Sequence, residues 1–339
     1  MGMTRYTLKR GLVILLAVCL VMGLPVSAEV TTISIKGEQY STDLTEINLA
    51  LMELANADIE PLRYMTNLTE LDLSENEISN ISALSGLTNL MKLDLSDNQI
   101  NDIGALSGLS NLISLALRNN QINDIRALSG LPNLMDLDLF ENQISDISVM
   151  SGLTSLTRLQ LSGNEISDIN ALSGLTNLIG LYIGRNQISD ITALSKLTNL
   201  TELGLSGNQI SDISALNGLT NLTYLILPGN QISDISVLSG LTNLMDLSLG
   251  SNEISNISAL NELTSLTYLS LYVNKINDIS ALSGLTKLNI LFLTGNEIND
   301  INALSELKNL KHLFLSSNPI TDWSPVSHID SVAGRPEGQ

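Results

Sequence analysis

Histidine is the first residue type to consider for catalysis, and the chain contains only two, His312 and His328. A serine nucleophile needs a histidine beside it and a third group, usually a carboxylate, that orients the histidine ring. In the arrangement described below, Ser270 and Ser316 fall near His312, but no acidic residue does. No glycine-rich phosphate loop follows a strand, and no pair of histidines has metal-ligand spacing. We therefore expect no catalytic residue, no cofactor and no enzymatic activity, and we assign His312 to binding.

Carboxylates recur every 22 residues along most of the chain, which raises the question of calcium. Ten aspartates, from Asp102 to Asp322, share one place in this period, and Asn80 and Asn256 take the same place elsewhere. A column of carboxylate oxygens is one way to bind calcium. Asp and Asn also hydrogen-bond their own downstream backbone and so stabilise turns. Because all of them except Asp322 stand directly before an isoleucine expected in the core, we favour the turn and expect no metal site.

The elements that position these residues follow from an unbroken repeat. From Met65 to His328 the chain consists of twelve 22-residue units, with Leu at places four and seven, Leu or Ile at nine, Asn at twelve and Ile at fourteen. This pattern, L-x-x-L-x-L-x-x-N-x-I, with stretches such as ISDISVLSGLTNL between strands, resembles the leucine-rich repeat of the internalin-like, 22-residue class of bacterial exported proteins. The resemblance implies a leucine-rich-repeat solenoid. Such a solenoid is a curved, right-handed β/α horseshoe with a parallel β-sheet on its concave face and short 3₁₀ or turn segments on its convex face.

Elementary physical chemistry predicts the same elements. Leu203 and Leu205 alternate with Gly204, as expected for a short strand whose leucines point into the core. Asn208 follows where the chain turns off the strand, and its amide can donate to and accept from backbone groups. Stacked coils would align these asparagines into a ladder that satisfies buried backbone groups. Ile210 then points inward again, before the turn on the far side.

Places six, eight and ten of each unit point away from the core and form three columns across the concave face. Seven of the ten aromatic residues that follow residue 28 fall in these columns. The first coils carry an acidic zone, consisting of Glu70, Asp72, Asp94, Asp136 and Asp138. The later coils carry an aromatic strip, consisting of Tyr182, Tyr224, Ile226, Tyr268, Tyr272, Ile290, Phe292 and Phe314. Phe140 and His312 complete the candidate partner-binding residues.

Two interpretations of the aromatic strip remain open. Exposed apolar patches with aromatic anchors are typical of interaction surfaces. Aromatic residues also favour strands and stabilise one another across neighbouring strands without any partner. Cross-strand pairing explains why aromatics lie on a sheet, but it does not explain their crowding toward one end. We therefore favour binding.

The N-terminus has the features of an export signal. Arg5, Lys9 and Arg10 precede the apolar run 11–24, and small residues lead to a cleavage site after Ala28. We expect a signal peptide at 1–28, with an uncleaved anchor and lipidation of Cys19 as alternatives. Cleavage leaves 13 basic and 35 acidic residues, a net charge of −22, and no cysteine. This charge argues against nucleic acid and against anionic membranes as partners.

The two ends of the array need protection, because a terminal coil exposes its hydrophobic face. Residues 29–64 are expected to form an N-terminal cap with a degenerate first coil, preceded by a short strand in 31–40 that could extend the sheet edge. The last unit departs from the pattern, and Trp323 takes a place that isoleucine holds elsewhere. We expect this unit to act as the C-terminal cap and residues 329–339 to form a flexible tail.

The expected function is an exported binding protein, secreted or held at the cell envelope, that engages a protein partner through the concave face. Carbohydrate binding at the envelope is the first alternative, because aromatic rings also stack on sugars. A passive structural or spacer role is the second. We expect a monomer that does not insert into the membrane once the signal is cleaved.

Overall fold

A computed structural model of the chain describes residues 30–329 and 331–336. The predicted signal peptide at 1–28, including Cys19, lies outside the described residues, as do Glu29, Asp330 and residues 337–339. Among the residues that are described, no helix has the length and the apolar composition required to cross a bilayer.

One parallel sheet of fourteen strands runs the length of the described chain, in sequence order from β3 to β16. Equivalent places pair across neighbouring coils, so that Leu203 lies opposite Leu181 on one side and Leu225 on the other. The strands are β3 Glu46–Asn48, β4 Glu70–Asp72, β5 Lys92–Asp94, β6 Ser114–Ala116, β7 Asp136–Asp138, β8 Arg158–Gln160, β9 Gly180–Tyr182, β10 Glu202–Gly204, β11 Tyr224–Ile226, β12 Asp246–Ser248, β13 Tyr268–Ser270, β14 Ile290–Phe292, β15 His312–Phe314 and β16 Ser331–Ala333.

Short 3₁₀ turns form the other side of each coil. Their order along the chain is Glu60–Tyr64, Ser82–Leu84, Gly104–Leu106, Arg126–Gly130, Ser148–Gly152, Asn170–Leu172, Thr192–Lys196, Ser214–Leu216, Ser236–Gly240, Ser258–Leu260, Ser280–Leu282, Asn302–Leu304 and Ser324–Val326. The parallel sheet on one side and the 3₁₀ turns on the other confirm the predicted solenoid.

The core is a single column of leucine and isoleucine between the sheet and the turns. Side chains at the inward places, such as Leu203, Leu205, Ile210 and Ile213, are at most 2% exposed. Burying a side chain of this size stabilises the fold by roughly 1.5–3 kcal/mol. No coil can bury both of its faces alone, so this stabilisation depends on the neighbouring coils.

The asparagines at place twelve form the predicted ladder. Asn208 donates from Nδ2 to the carbonyls of Leu205 at 3.0 Å and of Ile183, one coil earlier, at 3.1 Å. Its Oδ1 accepts the backbone N–H of Ile188, also one coil earlier, at 3.0 Å. In the degenerate first coil Met52 stands at the asparagine place, and Asn76 of the next coil accepts the backbone N–H groups of Met52 and Leu54, as the asparagines of later coils do for the coil before them.

The aspartates at place sixteen act as turn residues, as the favoured interpretation predicted. Asp234 Oδ1 accepts the backbone N–H of Ser236 at 2.8 Å, at the start of a 3₁₀ turn. The same bond occurs in all twelve units, including those in which Asn80 and Asn256 replace the aspartate. One oxygen of each carboxylate is therefore committed to the backbone.

The N-terminal end differs from the expectation of an added edge strand. Residues 32–41 form an antiparallel hairpin, β1 Thr32–Ile35 and β2 Glu38–Ser41, in a separate two-stranded sheet. Ile33 and Ile35 bury their side chains against the first coil, which is closed by helix α1, Asn56–Ile59. A hairpin satisfies its own backbone groups, so these residues cover the core without extending the sheet.

The C-terminal end also differs from the expectation. Within the segment 329–339, for which a flexible tail was expected, Ser331–Ala333 form β16 and pair with β15. The Leu315 N–H donates to the Ala333 carbonyl at 2.9 Å. The edge of β15 would otherwise expose a row of unpaired backbone groups, which explains why the chain folds back onto it. Trp323 is 7% exposed, and its side chain packs into the hydrophobic core at the last coil.

Candidate functional site

The concave face presents the sixth and eighth places of every coil as two continuous columns, because neighbouring strands pair in strict register. The acidic zone lies on β4, β5 and β7, and the aromatic strip lies on β9 and on β11 to β15, with Tyr272 just after β13. Every side chain of the aromatic strip is partly exposed. The predicted site residues thus share one face, divided into two groups along the chain.

Glu70, Asp72 and Asp94 of the acidic zone line a shallow concavity of about 470 Å³ formed by β3 to β6. Within it Glu70 pairs with the Lys92 ammonium at 2.7 Å. The Asp72 carboxylate accepts from the Asn48 side-chain amide at 2.8 Å. Part of the predicted negative charge is therefore neutralised inside the zone, and Asn48 of the first coil belongs to it.

The carboxylates at place eight also have a local structural role. Asp72, Asp94 and Asp138 each accept, at 2.9 Å, the backbone N–H two residues downstream, where the strand ends. Burial raises the pKa of Asp138, opposed by the Phe140 N–H and by Arg118. The Asp136 and Asp94 charges raise it further. These aspartates hold the strand ends, and the second oxygen of Asp72 accepts the Asn48 amide.

Three rings of the aromatic strip form a continuous stack across β13, β14 and β15. The Phe292 and Phe314 rings lie parallel, with centroids 4.3 Å apart and an angle of 7° between their planes. Tyr268 meets Phe292 at 5.7 Å with a tilt of 50°. Cross-strand pairing is therefore present in this part of the strip. The stack remains partly open to solvent, so pairing and binding are not mutually exclusive here.

Tyr182 and Tyr272 each lie over a neighbouring glycine. A Cβ at Gly204 would stand 2.7 Å from the Tyr182 ring, and a Cβ at Gly250 would stand 2.1 Å from the Tyr272 ring. The Tyr182 hydroxyl donates to Glu202 at 2.7 Å. Burial raises the pKa of Tyr182, and the bond to Glu202 raises it further. The Tyr182 ring therefore packs on Gly204 and is anchored by its hydroxyl, and the Tyr272 ring packs on Gly250.

The remaining predicted residues lie at the margins of these groups. Phe140 follows β7, on the border between the acidic zone and the aromatic strip, and is partly exposed. His312 is exposed on β15, opposite Ile290 on one side and Ser331 on the other. Ile226 lies on β11 and is also partly exposed.

Comparison with known proteins identifies the repeat. A family model described as leucine-rich repeats, two copies, matches residues 66–108, 154–196, 176–219, 198–240, 220–262, 264–306 and 286–328. A second leucine-rich repeat model matches 102–144 and 124–166. The chain belongs to the leucine-rich repeat family. A search of curated protein sequences found no match.

Among solved structures, this leucine-rich repeat chain is similar to an internalin, InlF, from Listeria monocytogenes. The two are 36% identical, with a TM-score of 0.85, over 89% of this chain and 91% of that one. A leucine-rich repeat protein from Leptospira interrogans is 28% identical, with a TM-score of 0.74, over 86% of this chain and 84% of that one. The predicted internalin-like resemblance is thereby confirmed.

The structure adds functional candidates that the sequence analysis did not select. Asp246 lies at place six between Tyr224 and Tyr268. A second exposed apolar column lies at place five of the leucine-rich repeats and includes Met91, Met135, Ile179 and Met245, each at least 42% exposed. Place five directly precedes each strand, and a scan of strand alternation alone does not reveal that its side chains remain in solvent. Among the described residues, no cluster of three or more His, Cys, Asp or Glu side chains is placed to hold a metal ion.

Proposed function

We propose that this leucine-rich repeat chain is an exported binding protein that engages a protein partner through the aromatic strip, with the acidic zone as a second contact. The observation that carries the proposal is the partly exposed stack of Tyr268, Phe292 and Phe314. Stacked rings that keep part of their surface in water retain apolar area for a partner to bury. Export is proposed from the signal peptide sequence at 1–28.

Preorganisation supports binding over a purely structural role. Tyr182 and Tyr272 are wedged over glycines, and Phe292 is held between two other rings. Because these side chains have little freedom left to lose, a partner that contacts them has a smaller entropic cost to overcome.

The test is affinity capture with residues 29–339 from envelope and host-cell extracts, followed by identification of the retained proteins. A variant carrying Tyr268→Ala, Phe292→Ala and Phe314→Ala is expected to lose a partner that the unmodified protein retains. The matched control carries Met91→Ala, Met135→Ala and Met245→Ala, which removes exposed apolar area outside the concave face, and it should retain the partner. Circular dichroism must show all three proteins folded at the capture temperature.

Equal capture by the unmodified and triple-aromatic proteins would refute the proposal. In that case a fall in the unfolding midpoint of the triple-aromatic variant would assign the stack to cross-strand pairing. Retention of a glycan, with no protein that depends on the aromatic residues, would replace the protein partner with a carbohydrate.

A further inference from the structure

Asp246 differs from the other carboxylates at place six of the concave face in having a buried oxygen without a partner. Glu70 is paired with Lys92, and Glu202 accepts the Tyr182 hydroxyl. The Asp246 Oδ1 atom, in contrast, is buried and has no hydrogen-bond partner among the described residues. A buried carboxylate oxygen without a donor is costly, and the cost is relieved when a donor binds. The protein therefore does not compensate the charge of this carboxylate, and a ligand that reaches its exposed side with a positive charge would do so.

The neighbours of Asp246 restrict what that ligand can be. The strand register places Tyr224 on one side and Tyr268 on the other, at the same place of adjacent strands about 4.8 Å apart. At place eight of β12 and β13 the side chains are small, Ser248 and Ser270, and both are buried. The Asp246 carboxylate thus lies close to the sheet surface, between the two tyrosine side chains.

The charges at this position are consistent with an uncompensated carboxylate. Burial raises the pKa of Asp246, with no basic residue acting to lower it. Burial also raises the pKa of Tyr224 and of Tyr268, and in each case the Asp246 charge raises it further. Both tyrosines therefore stay neutral and present intact π systems.

One carboxylate flanked by two aromatic rings suits an organic cation. A calcium ion needs six to eight oxygens, which a single carboxylate does not supply. A lysine ammonium or an arginine guanidinium bonds a carboxylate directly and is attracted to aromatic rings within about 6 Å. The net charge of −22 after signal cleavage attracts a basic partner to the whole molecule.

We propose that Tyr224, Asp246 and Tyr268 form a binding site for one cationic side chain, lysine or arginine, of the protein partner. The proposal rests on the proposed function for the identity of the partner, but the site itself can be tested alone. The cation pairs with the partly exposed Asp246 carboxylate from the solvent side and lies against the two rings. The Phe292 and Phe314 stack follows directly along the strip and contacts apolar residues next to that side chain.

The test uses small probes and the full chain without residues 1–28. The probes are the N-acetyl methylamides of lysine and arginine, with the N-acetyl methylamide of norleucine as the neutral control. Tyrosine rings labelled with carbon-13 are followed by NMR, and Tyr224→Phe and Tyr268→Phe assign the two signals. Saturable shifts of both signals are expected with at least one cationic probe, and not with norleucine.

The decisive variant is Asp246→Asn, which keeps the shape and removes the charge. It is expected to weaken cation binding about tenfold or more, as loss of a charge-assisted bond implies. The matched control is Asp278→Asn, which removes the same charge at the start of a 3₁₀ turn on the other side of the coil, and it should bind as the unmodified protein does. Absence of saturable shifts, equal shifts with norleucine, or unchanged binding by Asp246→Asn would each overturn the proposal.

The two proposals fail in different ways. If capture of a partner depends on Phe292 and Phe314 but the cationic probes do not bind, the cation site is refuted and the proposed function stands. If the cationic probes bind in a way that depends on Asp246, but no partner is lost when the aromatic rings are replaced, the cation site stands and the proposed function is refuted.

Discussion

Val273 is held in a backbone conformation that its side chain opposes. Every unit has a left-handed residue at place eleven, and Val273 has φ of 51° there. Glycine fills this place in four units, Gly163, Gly207, Gly229 and Gly295. Left-handed backbone costs an L-residue roughly 1–2 kcal/mol, and a β-branched residue is least suited to it. The strain lies directly beside Tyr272 of the aromatic strip.

Val273→Gly is therefore expected to stabilise the protein. The side chain is 53% exposed, so little buried area is lost. Relief of the strain exceeds the added entropy of glycine in the unfolded chain, for a net gain of about 1 kcal/mol. Urea unfolding followed by circular dichroism measures the gain. The control, Ser251→Gly at the same place, removes no β-branched side chain and should gain less; an equal or larger gain there would contradict the argument.

Substitutions of Asp234 can show whether the aspartates at place sixteen stabilise the fold through their hydrogen-bond acceptor or through their charge. Bonds from the Ser236 backbone and side chain lower the pKa of Asp234. A carboxyl whose folded pKa lies below its unfolded value contributes stability above about pH 4, and this contribution is lost as the pH falls through the folded value. Asn80 and Asn256 make the same backbone bond without a charge.

Asp234→Asn should keep the unfolding midpoint at pH 7 and reduce the loss of stability between pH 5 and pH 2. Asp234→Ala removes the acceptor and should lower the midpoint at every pH in that range. Urea unfolding at several pH values makes the comparison. If Asn and Ala behaved alike at pH 7, the bond to Ser236 would have no role in stability.

At the residue scale, the sequence predicted which side chains face outward but not what each one bonds. The ladder of Asn208 and the turn role of Asp234 were predictable, because both depend on a chemical group at a fixed place in the period. The unpartnered oxygen of Asp246 and the left-handed Val273 were not. Both depend on neighbours or backbone angles that a single position does not encode.

At the scale of elements, β16 has more consequence than its three residues suggest. It completes the sheet after β15, and Val332 packs against the last coil. Without it, β15 presents unpaired N–H and C=O groups at an open edge.

Removal of residues 331–339 is expected to lower stability by about 1–2 kcal/mol, since it exposes apolar surface of the last coil. It should also cause concentration-dependent self-association through the free edge of β15. Unfolding curves and analytical ultracentrifugation measure both effects. Removal of residues 337–339 alone is the control and should change neither. An unchanged midpoint and a monomer in the longer deletion would show that β16 does not protect the edge.

The ends of the chain were the least predictable elements. The alternation in residues 31–40 fits an added edge strand and a hairpin equally well, and Lys36 and Gly37 at the turn decide for the hairpin only once their positive φ angles are known. At the other end, Ser-Val-Ala is too short for a pattern to reveal a strand. Its pairing depends on the sheet edge that the preceding coils provide.

At the scale of the whole molecule, the period decides the fold. Twelve units without insertion or deletion keep every inward place, ladder residue and turn residue in line. The array was predictable from sequence for this reason, because a wrong structural assignment in one coil is corrected by the same places in the other coils. Stability in such an array is approximately a sum over coils and the interfaces between neighbours.

Deletion of one whole unit, residues 153–174, should therefore leave a folded solenoid with one strand fewer. It joins Gly152 to Leu175. The sequence after the junction then closely matches the sequence that normally follows Gly152. Deletion of half a unit, residues 153–163, places inward residues outward and should unfold the neighbouring coils. Circular dichroism and unfolding midpoints compare the two. Comparable loss of structure in both would mean that the coils do not stack as equivalent units.

Trp323 is the one tryptophan of the chain, and it lies in the last repeat with its Nε1 atom lacking a hydrogen-bond partner among the described residues. Intrinsic tryptophan fluorescence of this protein therefore reports one end of the solenoid and is blind to the rest. The far-ultraviolet signal, in contrast, averages over every coil. A fluorescence transition that precedes the circular dichroism transition would mean that the molecule unravels from its C-terminal end. Coincidence of the two would mean that it unfolds as a single cooperative unit.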